Sequence, residues 1–91
     1  MIGDTAITLP SGYKEVYVRS MIEVASQYYA VVFHLLKTEL EGYSKRYIGG
    51  LANGNNCQFM IVGTETSVRL FTAVLNGTDY TSSAHTAVLY R

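Results

Sequence analysis

The sequence predicts an all-β protein: one small, jelly-roll-like β-sandwich over residues 1–91, with about seven strands and a short helical turn near residues 37–41. Three observations lead to this prediction. Apolar and polar residues alternate with the period of two that strands require. Short strand candidates recur at a spacing of roughly 8–12 residues, separated by turns rich in glycine and asparagine. No segment has the period of an amphipathic helix.

The first strands are marked by alternation and by turn residues. The segment "TAITL", residues 5–9, is a short β-prone run that Pro10 and the next two residues close. Regular alternation over residues 13–24 predicts a half-buried strand, interrupted near Ser20. One of its faces carries Val16, Val18, Ile22 and Val24, and the other carries Glu15, Tyr17, Arg19 and Glu23. "SQ", residues 26–27, is the predicted turn into the next strand.

Residues 28–36, "YYAVVFHLL", are apolar on both faces of the predicted strand. Such a strand is either central in a sandwich or sealed by another subunit. A buried helix is the alternative interpretation. Two adjacent valines and three aromatic residues favour the strand, because β-branched and aromatic side chains fit a pleated surface.

The middle of the chain contains the one helical signal. Residues 37–41 are good helix formers and Gly42 is a suitable cap, but the segment is too short for an isolated helix. Residues 43–48 resume strand character and include the charged residues Lys45 and Arg46, as an edge or solvated strand does. "GGLANGNN", residues 49–56, predicts a hairpin loop.

The last third of the chain predicts three further strand segments. "CQFMIVG" is mostly apolar, "GTET" is a tight turn, and "SVRLFTAVL" is a strand of about nine residues. Asn76-Gly77 is a hairpin signal, and "HTAVLYR" is the strand that closes the sheet.

The low content of charged residues predicts self-association. Seven basic residues balance seven acidic ones among 91, and charged residues make up only 15% of the chain. This balance favours neither nucleic acid nor an anionic membrane as a partner. An uncharged surface is poorly soluble, so we expect copies of the chain to cover part of it. No segment is long enough for a membrane span, and "MIGDTAITLP" lacks the features of a signal peptide.

Neither cysteine nor histidine chemistry is predicted. The single cysteine, Cys57, excludes an intrachain disulfide and is interpreted as a small buried hydrophobe. His34 and His85 have no His, Cys or Asp at the spacing of metal ligands. We therefore expect no metal and no cofactor.

Two groups of residues superficially suggest an enzyme. Asp79, Ser82, Ser83 and His85 lie close in sequence, but no nucleophile elbow accompanies them. The Asp, Ser and Thr residues are better explained as turn formers before the last strand, and His85 as a turn or strand-edge residue. Glu39 and Glu41 are a carboxylate pair on a predicted solvated turn, in a domain too small for a cleft. We expect no catalytic residues.

Tyrosine is the one residue type in excess. Eight tyrosines and three phenylalanines occur without tryptophan. Tyrosine combines an apolar ring with a polar hydroxyl, which suits interfaces and sugar-stacking surfaces, although it is also simply a good strand former. The candidate binding residues are Tyr17, Arg19, Tyr43, Tyr47, Asp79 and Tyr80.

The segments "SGYKEVYVRSMI", "YSKRYIGG" and "NGTDYTSSAHTAVLYR" together resemble a module of tail-fibre and baseplate-type structural proteins of phages that infect Gram-positive bacteria. The resemblance lies in strand order, tyrosine-rich strands and an Asn-Gly-x-Asp-Tyr turn. It implies a small trimeric β-sandwich in the virion that serves assembly, capping and attachment to host-surface carbohydrate. Alternatives are a stand-alone carbohydrate-binding module of a bacterial protein and a small hydrolase that uses His85.

Overall fold

A computed structural model describes the backbone of residues 2–42, 44–52 and 55–91, and the side chains of residues 2–42 and 56–91. Its eight strands are β1 (Ile7–Thr8), β2 (Glu15–Val24), β3 (Gln27–Leu36), β4 (Ser44–Ala52), β5 (Asn55–Gly63), β6 (Ser67–Leu75), β7 (Thr78–Asp79) and β8 (His85–Tyr90). A short helix, α1 (Lys37–Leu40), follows β3, and a 3-10 turn, Thr81–Ser83, precedes β8. The predicted all-β sandwich with one helical turn is confirmed.

The strands form two antiparallel sheets. Sheet A has the order β3-β2-β8, and sheet B has the order β1-β6-β5-β4, with β7 beside β6. Hairpins connect β2 to β3 and β4 to β5 to β6, while β8 returns to sheet A and pairs with β2. The β2–β3 turn is Ala25-Ser26, one residue earlier than predicted. Both residues have positive φ, 51° and 65°, as a type I′ turn requires.

The core lies between the inner faces of the two sheets. The predicted alternation along β2 is confirmed, since Val16, Val18 and Ile22 are fully buried. Ser20 does not interrupt the strand, because its hydroxyl lies in the core 3.2 Å from Thr86 Oγ1 on β8. The remaining buried apolar residues of this core are Leu9, Tyr13, Phe33, Leu35, Leu40, Cys57, Phe59, Ile61, Val68, Leu70, Ala73, Leu75 and Ala84.

The doubly apolar strand β3 is an edge strand and not a central one. Within the described residues it pairs only with β2. Its inner face carries buried Phe33 and Leu35 and the partly buried Tyr29 and Val31. Its outer residues are exposed. Local periodicity had left two positions open for such a strand, and strand order excludes the central one.

Sheet B differs from the prediction at its second hairpin. The predicted loop at residues 49–56 is shorter, because Gly49 and Gly50 belong to β4 and pair with Gln58 and Cys57. A register shift between Met60 and Ile61 places a β-bulge on β6 at Phe71. Asn76-Gly77 forms the predicted turn between β6 and β7, again with positive φ at both residues.

Candidate functional site

The outer face of sheet A contains the densest group of functional side chains in the described part of the chain. Odd-numbered residues of β2 point to this face, and the strand register places Tyr17 beside His34 of β3 and Leu89 of β8. The next rows of the same face are Leu36–Glu15–Arg91 and Val32–Arg19–Ala87.

Tyr17 and Glu15 organise a polar cluster at one end of this face. The Tyr17 and His34 rings stack with centroids 4.4 Å apart and planes 7° from parallel. Tyr17 Oη donates to Glu15 Oε1 at 3.2 Å, and Glu15 Oε2 lies 3.6 Å from His34 Nε2. Arg91 lies over the Tyr17 ring at 5.9 Å, with its Nε 3.9 Å from Glu15 Oε1. Glu15 therefore contacts three partners at once.

A shallow groove runs beside this cluster at the end of β8. Its volume is about 440 Å³, and its lining is Tyr17, Leu89, Tyr90 and Arg91. The backbone of Arg91 is held on β2, because Arg91 and Glu15 exchange N–H···O bonds of 3.0 and 3.2 Å. The groove therefore combines a well-anchored backbone with an exposed tyrosine and a guanidinium, and a small polar ligand with an apolar face fits such chemistry.

The remaining rows of the outer face of sheet A carry exposed apolar side chains beside the exposed charged residues Arg19 and Glu23. Tyr28 is 62% exposed, Val32 55% and Leu89 74%. These side chains lie on three different rows of one face. Large apolar side chains are therefore exposed on this face of a chain in which charged residues make up only 15%.

The structure separates the predicted binding residues into different parts of the molecule. Tyr17 and Arg19 share the outer face of sheet A, where Arg19 Nη2 contacts Met21 Sδ at 3.6 Å. Tyr17 is engaged from both neighbouring strands, by His34 and Arg91, so its ring is not an open stacking platform. Tyr43 lies outside the described residues, and Tyr47 is described only as a backbone position of β4.

Asp79 and Tyr80 lie at the end of β7, beside sheet B. Asp79 Oδ1 accepts hydrogen bonds from Thr81 N at 2.8 Å and from Thr81 Oγ1 at 2.6 Å, and these bonds hold the pKa of the carboxyl below its ordinary value. Tyr80 packs against the core. Both residues therefore shape the turn that leads into β8.

The cluster contains three residues that sequence reasoning did not select: Glu15, His34 and Arg91. Alternation places Glu15 on the same face as Tyr17, but its carboxylate is not among the predicted binding groups. His34 and Arg91 join it only through the β2–β3 and β2–β8 registers, which depend on tertiary pairing.

The remaining polar and thiol groups form local structural contacts. Ser83 Oγ donates to the Tyr80 carbonyl at 3.3 Å, a contact within the turn. Burial raises the pKa of the Cys57 thiol, which disfavours a reactive thiolate. Over the described ranges, no three His, Cys, Asp or Glu side chains gather as metal ligands would.

The described helical segments are too short and too polar for any of them to cross a bilayer.

Comparison of the chain with family models, curated proteins and solved structures yields no match.

Proposed function

We propose that this chain is a non-enzymatic structural module of a phage virion and that it self-associates into a homo-oligomer. The observation that supports the proposal most strongly is β3, a ten-residue edge strand without a charged residue or a proline. An edge strand of this kind readily pairs with another chain. The exposed apolar side chains on the outer face of sheet A are further surface that association with another chain could remove from water.

The assignment to a virion follows from the resemblance to tail-fibre and baseplate-type modules. That resemblance also implies a trimer and a role in assembly, capping or host attachment. Structural proteins of this class need complementary surfaces and no catalytic centre. Mass spectrometry of purified virions tests the assignment: we expect peptides of this chain in virion protein, and their absence from virions of an expressing host contradicts it.

Size-exclusion chromatography coupled to light scattering tests self-association. At micromolar concentration we expect a particle whose mass is a multiple of the 10.1 kDa of one chain. A monomer that persists as the concentration is raised contradicts the proposed self-association.

A second candidate function, carbohydrate binding, is favoured by the groove at the end of β8. It joins the Tyr90 ring, the Arg91 guanidinium and the nearby Glu15 carboxylate. An aromatic ring stacks on the apolar face of a sugar, while the charged groups accept and donate hydrogen bonds to its hydroxyls. Host-surface glycans are the corresponding ligands.

A glycan array that carries bacterial cell-wall saccharides tests this second candidate. We expect binding that Tyr90→Ala removes, because the exposed ring is lost while the buried core is unchanged. Phe71→Ala is the control, since Phe71 is an exposed aromatic residue on β6, away from both the groove and β3. No binding by the intact oligomer, or equal loss in both variants, contradicts a sugar site in this groove.

A further inference from the structure

We propose that β3 pairs antiparallel with β3 of a second copy of this chain, about a two-fold axis beside Val31, so that the two copies of sheet A form one continuous sheet. This inference rests on the proposed self-association, and it specifies the strand, the register and the number of copies. The recognition mode is strand addition at a sheet edge, in which backbone hydrogen bonds supply much of the contact.

Among the described strands, none pairs with the outward-facing edge of β3, so its backbone presents a row of hydrogen-bonding groups there. In an antiparallel pair, alternate residues bond to the neighbouring strand and those between them point away from it. Just after β3, Lys37 N donates to Lys14 O at 2.9 Å. Because bonded residues alternate along the strand, the odd-numbered residues of β3 also bond to β2. The N–H and C=O groups that point outward belong to Tyr28, Ala30, Val32 and His34. Leu36 N is already satisfied by Glu39 Oε1 at 2.9 Å.

The other described sheet edges are shorter, covered or charged. The edge beside β6 is formed by β1 and β7, which have two residues each. The sequence of the edge strand β4 contains Lys45 and Arg46. At the start of β8, Ile2 forms a bridge to His85, and Gly3 N bonds to Ala84 O at 2.9 Å. These are the devices by which edges avoid pairing with other chains, and within the described structure β3 has none of them between Tyr28 and His34.

A second copy fits this edge because β3 is complementary to itself about Val31. Antiparallel pairing about that residue places Tyr28 opposite His34 of the other copy, and Ala30 opposite Val32. Each of these pairs joins two residues whose backbone groups point outward, so all of the open N–H and C=O groups between residues 28 and 34 find partners. The Tyr17–His34 stack then continues onto a tyrosine, and no two charges meet across the seam.

The inner face of β3 supports the same occupant. Tyr29 and Val31 point toward the core but are only partly buried, because the sandwich is open at this edge. In the proposed register Val31 lies next to Val31 of the other copy, and Tyr29 lies next to Phe33. Pairing therefore covers apolar side chains on both faces of β3. A strand that is apolar on both faces needs such cover from a neighbouring strand or subunit.

The contact is isologous, so it closes at two copies. The resemblance to phage modules implies three. In the two-fold arrangement the grooves at the ends of the two β8 strands lie at opposite ends of the joined sheet. Strand pairing through β3 thus leaves both grooves accessible.

Light scattering with a matched pair of lysine variants tests the edge. Val32 and Ala87 are both exposed and lie on the same row of the outer face, on either side of Arg19. We expect twice the mass of one chain for the wild type and for Ala87→Lys. Because Val32→Lys puts a charge at the seam, we expect it to raise the dissociation constant at least about tenfold. Circular dichroism should show the β-sheet content of the wild type in both variants.

Each outcome of that measurement is informative. A wild-type mass of three chains, or a mass that grows with concentration without limit, overturns β3 pairing but leaves the proposed self-association intact. Equal dissociation of both variants assigns the contact to the outer face of sheet A and overturns pairing through the β3 edge. A wild-type monomer overturns the self-association itself.

Cysteine cross-linking tests the register. In the proposed pairing the two copies of Val31 face each other as a non-hydrogen-bonded pair, close enough for a disulfide, whereas the two copies of Ala30 are diagonal and too far apart. Under mild oxidation with oxidised glutathione, we expect Val31→Cys to form a reducible two-chain band and Ala30→Cys to form none. The native Cys57 is buried in both variants. A stable dimer in which Val31→Cys fails to cross-link contradicts pairing about this residue.

Discussion

The edge of β3 and the edge of sheet B formed by β1 and β7 differ in how readily another strand could pair with them. Beside β6 the edge is made of two-residue strands that end in turns, and Asp79 is tied to Thr81. The β3 edge is ten residues long, uncharged and exposed on its outer face. A short edge offers too few groups for another chain to pair with, whereas a long, flat one is a template for it. Within the described residues, the β3 edge is therefore the long edge that remains open to a further strand, as the proposed pairing requires.

The largest expected effect separates the two faces of β3 itself. Leu35 and Leu36 are adjacent residues of the same type, 1% and 46% exposed. We expect Leu35→Ala to lower the free energy of unfolding by about 2–5 kcal/mol, because it leaves a cavity between the sheets. Leu36→Ala, the matched control, should cost less than about 1 kcal/mol. Urea denaturation measures both, and equal losses contradict the assignment of the inner and outer faces.

A smaller effect is expected where sheet B is packed most tightly. A Cβ at Gly63 would lie 2.7 Å from Val68 Cγ1 and 3.0 Å from Ser67 O. Backbone must move to accommodate the latter contact, so Gly63→Ala should lower the free energy of unfolding by about 1–3 kcal/mol. Gly12→Ala is the spatial control, since nothing lies within 4 Å of its Cβ, although its positive φ of 88° adds a backbone cost. A stabilised Gly63→Ala variant in urea denaturation would show that β5 and β6 are not close-packed there.

The junction between β2 and β8 is expected to contribute less again. The Ser20 and Thr86 hydroxyls lie 3.2 Å apart in the core, at directly opposite positions of the two strands. Ser20→Ala should cost about 1 kcal/mol, since it removes one side of a buried hydrogen bond. A double-mutant cycle with Thr86→Val isolates the coupling between the two hydroxyls. Strictly additive losses would mean that this contact does not help to fix β8 in register.

The smallest effect is expected at β7, the short strand at the edge of sheet B. The pKa of Asp79 in the folded state is lowered mainly by the hydrogen bond from the Thr81 side chain, and further by the one from the Thr81 backbone. Its contribution to stability is therefore present above the ordinary pKa of an aspartate and is lost as the pH falls through the lowered value. Asp79→Asn should lower the melting temperature slightly at neutral pH, and the difference from wild type should shrink in acid. A difference that grows on acidification contradicts this sign.

The strands, their faces and their turns largely follow from local sequence pattern, but the order of the strands in the sheets does not. Alternation along residues 15–24 is enough to give the two faces of β2, and Asn76-Gly77 is enough to give its turn, because both depend on neighbours in sequence. Gly49 and Gly50 read as loop residues, yet they extend β4 because pairing with β5 outweighs their low strand propensity. Local pattern describes the two apolar faces of β3 but carries no information about which strand lies beside it.

The candidate site is predictable only in part for the same reason. Glu15, Tyr17 and Arg19 share a face by simple alternation. The stack with His34 and the contact with Arg91 require the registers of two strand pairs, one of which joins residues far apart in the chain. A one-residue change in either register would move these side chains to the other face.

Amide hydrogen exchange along β3, followed by nuclear magnetic resonance, is a direct test of β3–β3 pairing. The odd-numbered residues bond to β2 within one chain, so their amides should be protected at every concentration. We expect the amides of Tyr28, Ala30, Val32 and His34 to be comparably protected in the assembled protein and to exchange rapidly on dilution to the monomer. Rapid exchange at these even-numbered positions in an intact oligomer would contradict this pairing.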